Sequence, residues 1–97
     1  MDLTDKQRKY LRTLAHPRKP IVTLGNAGLT DAVIAELDLA LDAHELVKVR
    51  VRAADREERD ALIDTILVRT GAAQVQRVGH VLTLYRRNRD NSKVTLP

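Results

Sequence analysis

Pro20-Ile21-Val22-Thr23-Leu24-Gly25-Asn26-Ala27-Gly28-Leu29-Thr30 is the stretch that decides the fold. Its first five residues are apolar or β-branched and end at a glycine, the pattern of a short buried strand. Thr30 followed by Asp31 then reads as an N-cap with an acid in the first helical turn. From there Val33, Ile34, Leu37, Ala40 and Leu41 recur at the 3.6-residue period, which predicts a helix with one apolar stripe. The order is strand, glycine turn, helix. A strand must follow to complete the crossover, and Leu46-Val47-Lys48-Val49-Arg50-Val51-Arg52 supplies one by strict alternation of valines with cations.

Working outward, Thr4-Asp5-Lys6-Gln7 is a capping box. It opens a helix whose inner face carries Leu3, Gln7, Tyr10, Leu11 and Leu14 and whose outer face carries Lys6, Arg8, Lys9 and Arg12. Pro17 ends that helix at Ala15-His16. Downstream, Asp55-Arg56-Glu57-Glu58 opens a third helix through Leu62, Ile63, Ile66 and Leu67, and Gly71 caps it. Strands over 75–78 and 81–85 flank Gly79-His80, a two-residue hairpin with glycine first, as a type II′ turn requires. The element order is α-β-α-β-α-β-β. It predicts a two-layer α/β domain with a four-stranded mixed sheet, a single unit over 1–97 with a polar, flexible tail over 87–97.

Ninety-seven residues leave no room for a second core. The chain has no cysteine, so disulfides, thiolate metal sites and cysteine nucleophiles are absent. Its apolar runs are a few residues long and it begins without a signal-like stretch, so a cytoplasmic protein without membrane association is expected. The only serine, Ser92, lies in the tail. His16, His44 and His80 stand apart at element ends, where caps and turns use them. Neither a catalytic constellation nor a metal or cofactor site is expected, and a monomer is.

The net charge is a modest +4, compatible by itself with an ordinary solvated surface. Its distribution is more informative. Residues 1–25 sum to +4, residues 26–47 to −5, and residues 70–97 carry five cations against one acid. Such polarity suits docking of one face on a polyanion. The turn over 25–28 is in the first place a tight strand-to-helix connection, and it lacks the Lys-Ser or Lys-Thr of a P-loop. It also brings backbone N–H groups to a helix N-terminus, where phosphate oxygens are attracted. KH domains clamp a nucleic-acid backbone with a GXXG loop, although theirs joins two helices. Tyr10 and Tyr85 are the only aromatics, too few for a base-stacking platform. Any nucleic acid would therefore be read through its backbone and shape.

Leu14-Ala15-His16-Pro17, Lys19-Pro20-Ile21-Val22, Leu24-Gly25-Asn26-Ala27-Gly28-Leu29-Thr30, His44-Glu45-Leu46-Val47-Lys48-Val49 and Leu84-Tyr85-Arg86 together resemble the YhbY proteins. These are the stand-alone bacterial form of the CRM domain (chloroplast RNA splicing and ribosome maturation). The resemblance covers almost the whole chain. It implies a fold like the C-terminal domain of initiation factor 3, with RNA bound through the GxxG loop and nearby basic surface. It further implies association with precursor RNA of the large ribosomal subunit. Many such relatives carry a basic residue inside the loop, whereas Asn26 and Ala27 are uncharged.

The candidate RNA-binding residues are thus Gly25, Asn26, Ala27 and Gly28 in the loop, with Lys6, Lys9 and Arg12 on the first helix. Arg18 and Lys19 lead into the strand, and Lys48, Arg50, Arg52 and Arg86 are second in rank. Two other classes stay open: an adaptor that binds a protein through the acidic second helix, and an RNA-processing enzyme that would leave new RNA termini. The loop can be tested directly. Replacing both Asn26 and Ala27 with Asp puts two carboxylates beside the phosphate seat without altering a core position. Electrophoretic mobility shifts should show RNA binding abolished while the circular dichroism spectrum is retained; unchanged affinity would remove the loop from the site.

Overall fold

The computed structural model describes residues 2–25, 28–88, 90 and 92–97. Helix α1 spans Asp5–Ala15, strand β1 Val22–Leu24, helix α2 Asp31–His44 and strand β2 Leu46–Val51. Helix α3 (Arg56–Thr70) and strands β3 (Ala73–Val78) and β4 (Val81–Tyr85) follow. The expected order is present, with a four-stranded mixed sheet ordered β1-β2-β4-β3. β1 runs parallel to β2, while β4 is antiparallel to both β2 and β3. The hairpin thus inserts its second strand between β2 and β3.

Local chemistry sets the element ends. Thr4 and Gln7 form the reciprocal capping box of α1. Thr30 caps α2 through the Val33 amide. Asp55 caps α3, but Glu58 reaches back one residue further than a standard box, to the Ala54 amide. Gly71 closes α3 at φ +69°, the left-handed conformation in which glycine carries no Cβ penalty. Gly79 has φ +56° and His80 a negative φ, as the II′ turn requires. The first strand is shorter than the 20–24 read from the sequence, because Pro20 and Ile21 precede the ladder; Ile21 nevertheless donates to the Lys48 carbonyl.

Period-two alternation gives the sheet two different faces. Val22, Leu24, Val47, Val49, Val51, Leu82 and Leu84 point to one side and meet Ile34, Leu37 and Leu41 of α2 and Ile63 and Ile66 of α3. This is the main two-layer core. On the other side Leu46, Tyr85, Ala73 and Val75 meet Leu11 and Ala15 of α1, so the first helix covers only one end of that face. Tyr10, read as part of the inner stripe, lies at its margin and is exposed. A register shift between Gln74 and Gln76 makes Val75 a bulge, and it turns toward α1.

The chain after β4 is not a loose polar tail. Val94 is buried and Leu96 packs against the α1 cluster. The segment is tied down by Glu45, whose side chain is fully buried at the end of α2. The Asn88 amide donates to Oε2 at 2.6 Å, and the amides of Lys93 and Val94 donate to Oε1, the latter at 2.7 Å. Glu45 also stands at φ +60°, an unfavourable conformation for a residue with a Cβ. Burial pushes its carboxyl up, but the three amide donors and Arg87 more than reverse this, so the group titrates below its ordinary value of 4.5. Burial, and secondarily the charge of Glu45, pushes the neighbouring Tyr85 hydroxyl up.

A depressed folded-state pKa means that the unfolded chain takes up the proton first as pH falls. The stabilisation from Glu45 is therefore complete above the ordinary carboxylate pKa and is lost on acidification through the lower, folded-state value. Glu45→Gln places an amide donor against an amide donor, and should lower stability by about 1–3 kcal/mol. It should also flatten the acid limb of the stability–pH curve measured by urea unfolding. The amides of Lys93 and Val94 should then lose hydrogen-exchange protection before the sheet does.

Candidate nucleic-acid interface

The three rungs of the sheet on the α1 side differ in character. Leu46, Tyr85 and Ala73 pair across the first rung and are roofed by α1. Lys48, Thr83 and Gln76 form the second, and Arg50, Val81 and Val78 the third. Where the helix stops, the sheet face turns polar and basic: Thr83 stays buried between the half-buried Lys48 and Gln76, and Arg50 and Val78 of the third rung are exposed. A trough here is lined by Lys48, Arg50, Gln76 and Val78, with His16 and Pro20 on its wall. His16 and Gln76 also line a second, shallow depression with Lys9 and Arg12. The outer face of α1 and the open sheet face are therefore continuous around the helix end.

The cations along this path are not neutralised internally. Among the described residues, ion pairs engage Arg8, Arg59, Arg69, Arg77 and Arg86, whereas Lys6, Lys9, Arg12, Lys48, Arg50 and Arg52 join none. Lys48 makes only a long contact, 3.5 Å, to the His16 carbonyl. Arg8 is turned inward, its Nε donating to the Gln74 carbonyl at 3.3 Å. Lys6 is exposed one turn before Lys9 and extends the same surface.

The glycine turn begins at the far end of β1. Thr23 pairs with Arg50, so Gly25 lies two residues beyond the third rung, about 7 Å along the strand. Gly28 has φ +73° and its amide donates to the Gly25 carbonyl at 3.0 Å. That bond uses an N–H group which the sequence reading offers to a phosphate. Thr30 likewise occupies the Val33 amide. Asn26 and Ala27 lie outside the described residues.

The arrangement is a cationic strip beside a glycine turn at a helix start, without an aromatic platform. The sequence profile of the CRS1 / YhbY (CRM) domain family matches residues 3–86. The chain belongs to that family. A Haemophilus influenzae relative named an RNA-binding protein is 48% identical over 95 residues, covering 98% of this chain and 95% of its own. A Bacillus subtilis relative named a probable RNA-binding protein is 33% identical and is covered over 99% of its length, against 98% of this chain. The solution structure of a hypothetical Staphylococcus aureus protein superposes with a TM-score of 0.83 at 34% identity, over 99% of this chain and all of that one.

Within this CRM domain the remaining candidates divide. Lys19 is exposed, and Arg18, in the segment between α1 and β1, is exposed too while its NH1 donates to the Leu46 carbonyl at 2.9 Å on the edge of β2. Arg86 stands apart from the other candidates. Its guanidinium lies on the α2/α3 side, bonded to Asp38 at 2.8 Å, Asp42 at 2.9 Å and the Thr70 carbonyl at 2.8 Å. It is a structural clamp between two helices and the end of β4. The same contacts commit two acids of α2, and Asp31 is paired with Arg69, which weakens the helix as an acidic docking face. His16 and Gln76, which the sequence does not single out, line both depressions beside these candidates. The polar Gln74-x-Gln76 alternation hinted at an open strand face, but the bulge at Val75 hides which glutamine points out.

Arg86→Ala should therefore lower unfolding stability by about 2 kcal/mol, less than for a fully buried pair because Asp42 is solvated. RNA affinity of the folded variant should stay within about a factor of two, since no phosphate contact is removed. Urea unfolding and a filter-binding isotherm check the two parts. A selective loss of RNA affinity would return Arg86 to the interface.

Proposed function

We propose that this protein binds RNA non-catalytically through the strip that joins Lys6, Lys9 and Arg12 to Lys48, Arg50 and the glycine turn, and that it serves as an assembly factor on precursor RNA of the large ribosomal subunit. The observation that supports it best is the succession of rungs on this sheet face, apolar under α1 and carrying Lys48 and then the exposed Arg50 beyond it. The names of the Haemophilus and Bacillus relatives, an RNA-binding protein and a probable RNA-binding protein, point the same way. Cations without internal partners can neutralise phosphates at little cost, because no ion pair has to be broken first. With so few aromatics, affinity comes from charge and shape, which suits folded RNA more than an extended single strand. No helix among the described residues is long and apolar enough to cross a membrane. The proposed setting is the cytoplasm, with RNA as the partner and the protein as a monomer.

Salt dependence is the test. If about four to six phosphates are neutralised, log K should fall against log[salt] with a slope of roughly −3 to −5. Lys9→Ala and Arg12→Ala should each reduce that slope by about one and weaken different RNA sequences alike. Ribosomal RNA should compete far better than anionic vesicles of equal charge. A slope near zero, or one that both substitutions leave unchanged, would reduce the strip to ordinary solvation.

A further inference from the structure

β1 is three residues long and β2 six, so the edge of β2 at Leu46 and Val47 is left without a neighbouring strand. The gap is a notch of about 590 Å³, within the range that holds a small organic ligand. Its apolar floor is Ile21, 52% exposed, together with the edge at Leu46. Its rim carries Arg18, Lys19, Lys48 and Lys93. Two of these are positioned by the fold rather than left loose. Arg18 is held by the Leu46 carbonyl, and Lys93 is brought to the rim because Glu45 accepts its backbone amide. The notch lies at the opposite end of β1 from the glycine turn, and Lys48 is shared with the open sheet face.

Four cations around an apolar floor match one ligand chemistry, a flat uncharged ring attached to a phosphate. We propose that the notch holds one unpaired nucleotide of a bound RNA, its phosphate on the Arg18–Lys19–Lys93 rim and one face of its base on Ile21. The proposal rests on the RNA-binding reading and adds a preference to it. Paired RNA engages the strip alone, whereas an RNA with a bulged nucleotide engages strip and notch together. The aliphatic floor takes the part that an aromatic plays in other RNA-binding proteins, and the Arg18 guanidinium offers a second plane beside it.

The test compares a perfectly paired RNA hairpin with the same hairpin carrying a single bulged nucleotide, by fluorescence anisotropy at fixed salt. The protein should bind the bulged form about fivefold more tightly, no more than the lower end of what a base stacked on an aromatic ring contributes, because the floor is aliphatic. Ile21→Ser, which leaves the charge unchanged, should bring that ratio close to one while affinity for the paired hairpin changes by less than about twofold. Lys93→Ser, at an exposed position, provides a second variant that does not touch the floor and should also reduce the ratio. Equal binding of the two hairpins by the wild type, or a ratio that survives both substitutions, overturns the notch while leaving RNA binding by the strip intact. Adenosine monophosphate, which carries both base and phosphate, should compete with the bulged RNA better than inorganic phosphate but only at millimolar concentration, because it lacks the contacts of the strip. Competition no better than that of inorganic phosphate would remove the base contact and overturn the notch. Competition at micromolar concentration would assign the notch to a free nucleotide and overturn the proposal, as would displacement by an acidic peptide of equal charge. Failure of the wild type to bind either hairpin removes the underlying reading as well.

Discussion

The register of β2 against β4 is the constraint on which the rest of this molecule depends. One face of β2 is buried along its whole length by Val47, Val49 and Val51. The other is buried only at Leu46, which pairs with Tyr85 under α1. A slip of one residue would turn Lys48 and Arg50 into the main core and expose three valines, so no alternative register is tolerable. Because α1 can cover only what is apolar, its length and position follow from that pattern. The open basic face is then a consequence of the same alternation that builds the core.

Glu45 shows how the strand is joined to everything around it. Its amide closes α2 on the Leu41 carbonyl, its own carbonyl accepts from Arg86, and its carboxylate gathers the returning chain. A glycine would adopt φ +60° more easily, yet it could not hold three amides. The strain at this residue is thus offset by charge-assisted hydrogen bonds in a buried setting, where each is stronger than a neutral one. Through Lys93 the same carboxylate also shapes the rim of the notch beside β1.

Much of the architecture was legible in the residues themselves. Thr4, Thr30, Asp55 and Gly71 announce helix ends by local chemistry, and Leu46 to Arg52 announces a strand by its period. Other features depend on partners distant in the sequence and left little local trace. The insertion of β4 between β2 and β3 is a pairing choice that alternation alone does not specify. The docked tail is the clearest case, since Ser92, Lys93 and Thr95 mask the two apolar contacts of Val94 and Leu96, and the acceptor that orders them lies some fifty positions earlier. For the candidate site, the sequence marked the basic helix and the strand cations but could not separate arginines with acidic partners from those without. Arg50 and Arg86 look alike as letters; only the fold puts acids beside Arg86 and, among the described residues, pairs none with Arg50.

That separation explains how a chain with so small a net charge can present a strongly cationic surface. Asp38, Asp42, Asp31 and Asp60 are each engaged by an arginine on the α2/α3 side or its margin. The unpaired cations Lys9, Arg12, Lys48 and Arg50 are on the other side of the sheet or on α1. Sheet and helix layer together hold the two populations apart by on the order of a Debye length or more, about 8 Å at physiological ionic strength. Beyond that distance the acids contribute little to the potential that an approaching phosphate meets. The relevant quantity is therefore the local excess of unpaired cations on one face, not the +4 of the whole chain, and each acid bound to a structural arginine on the far side sharpens that difference.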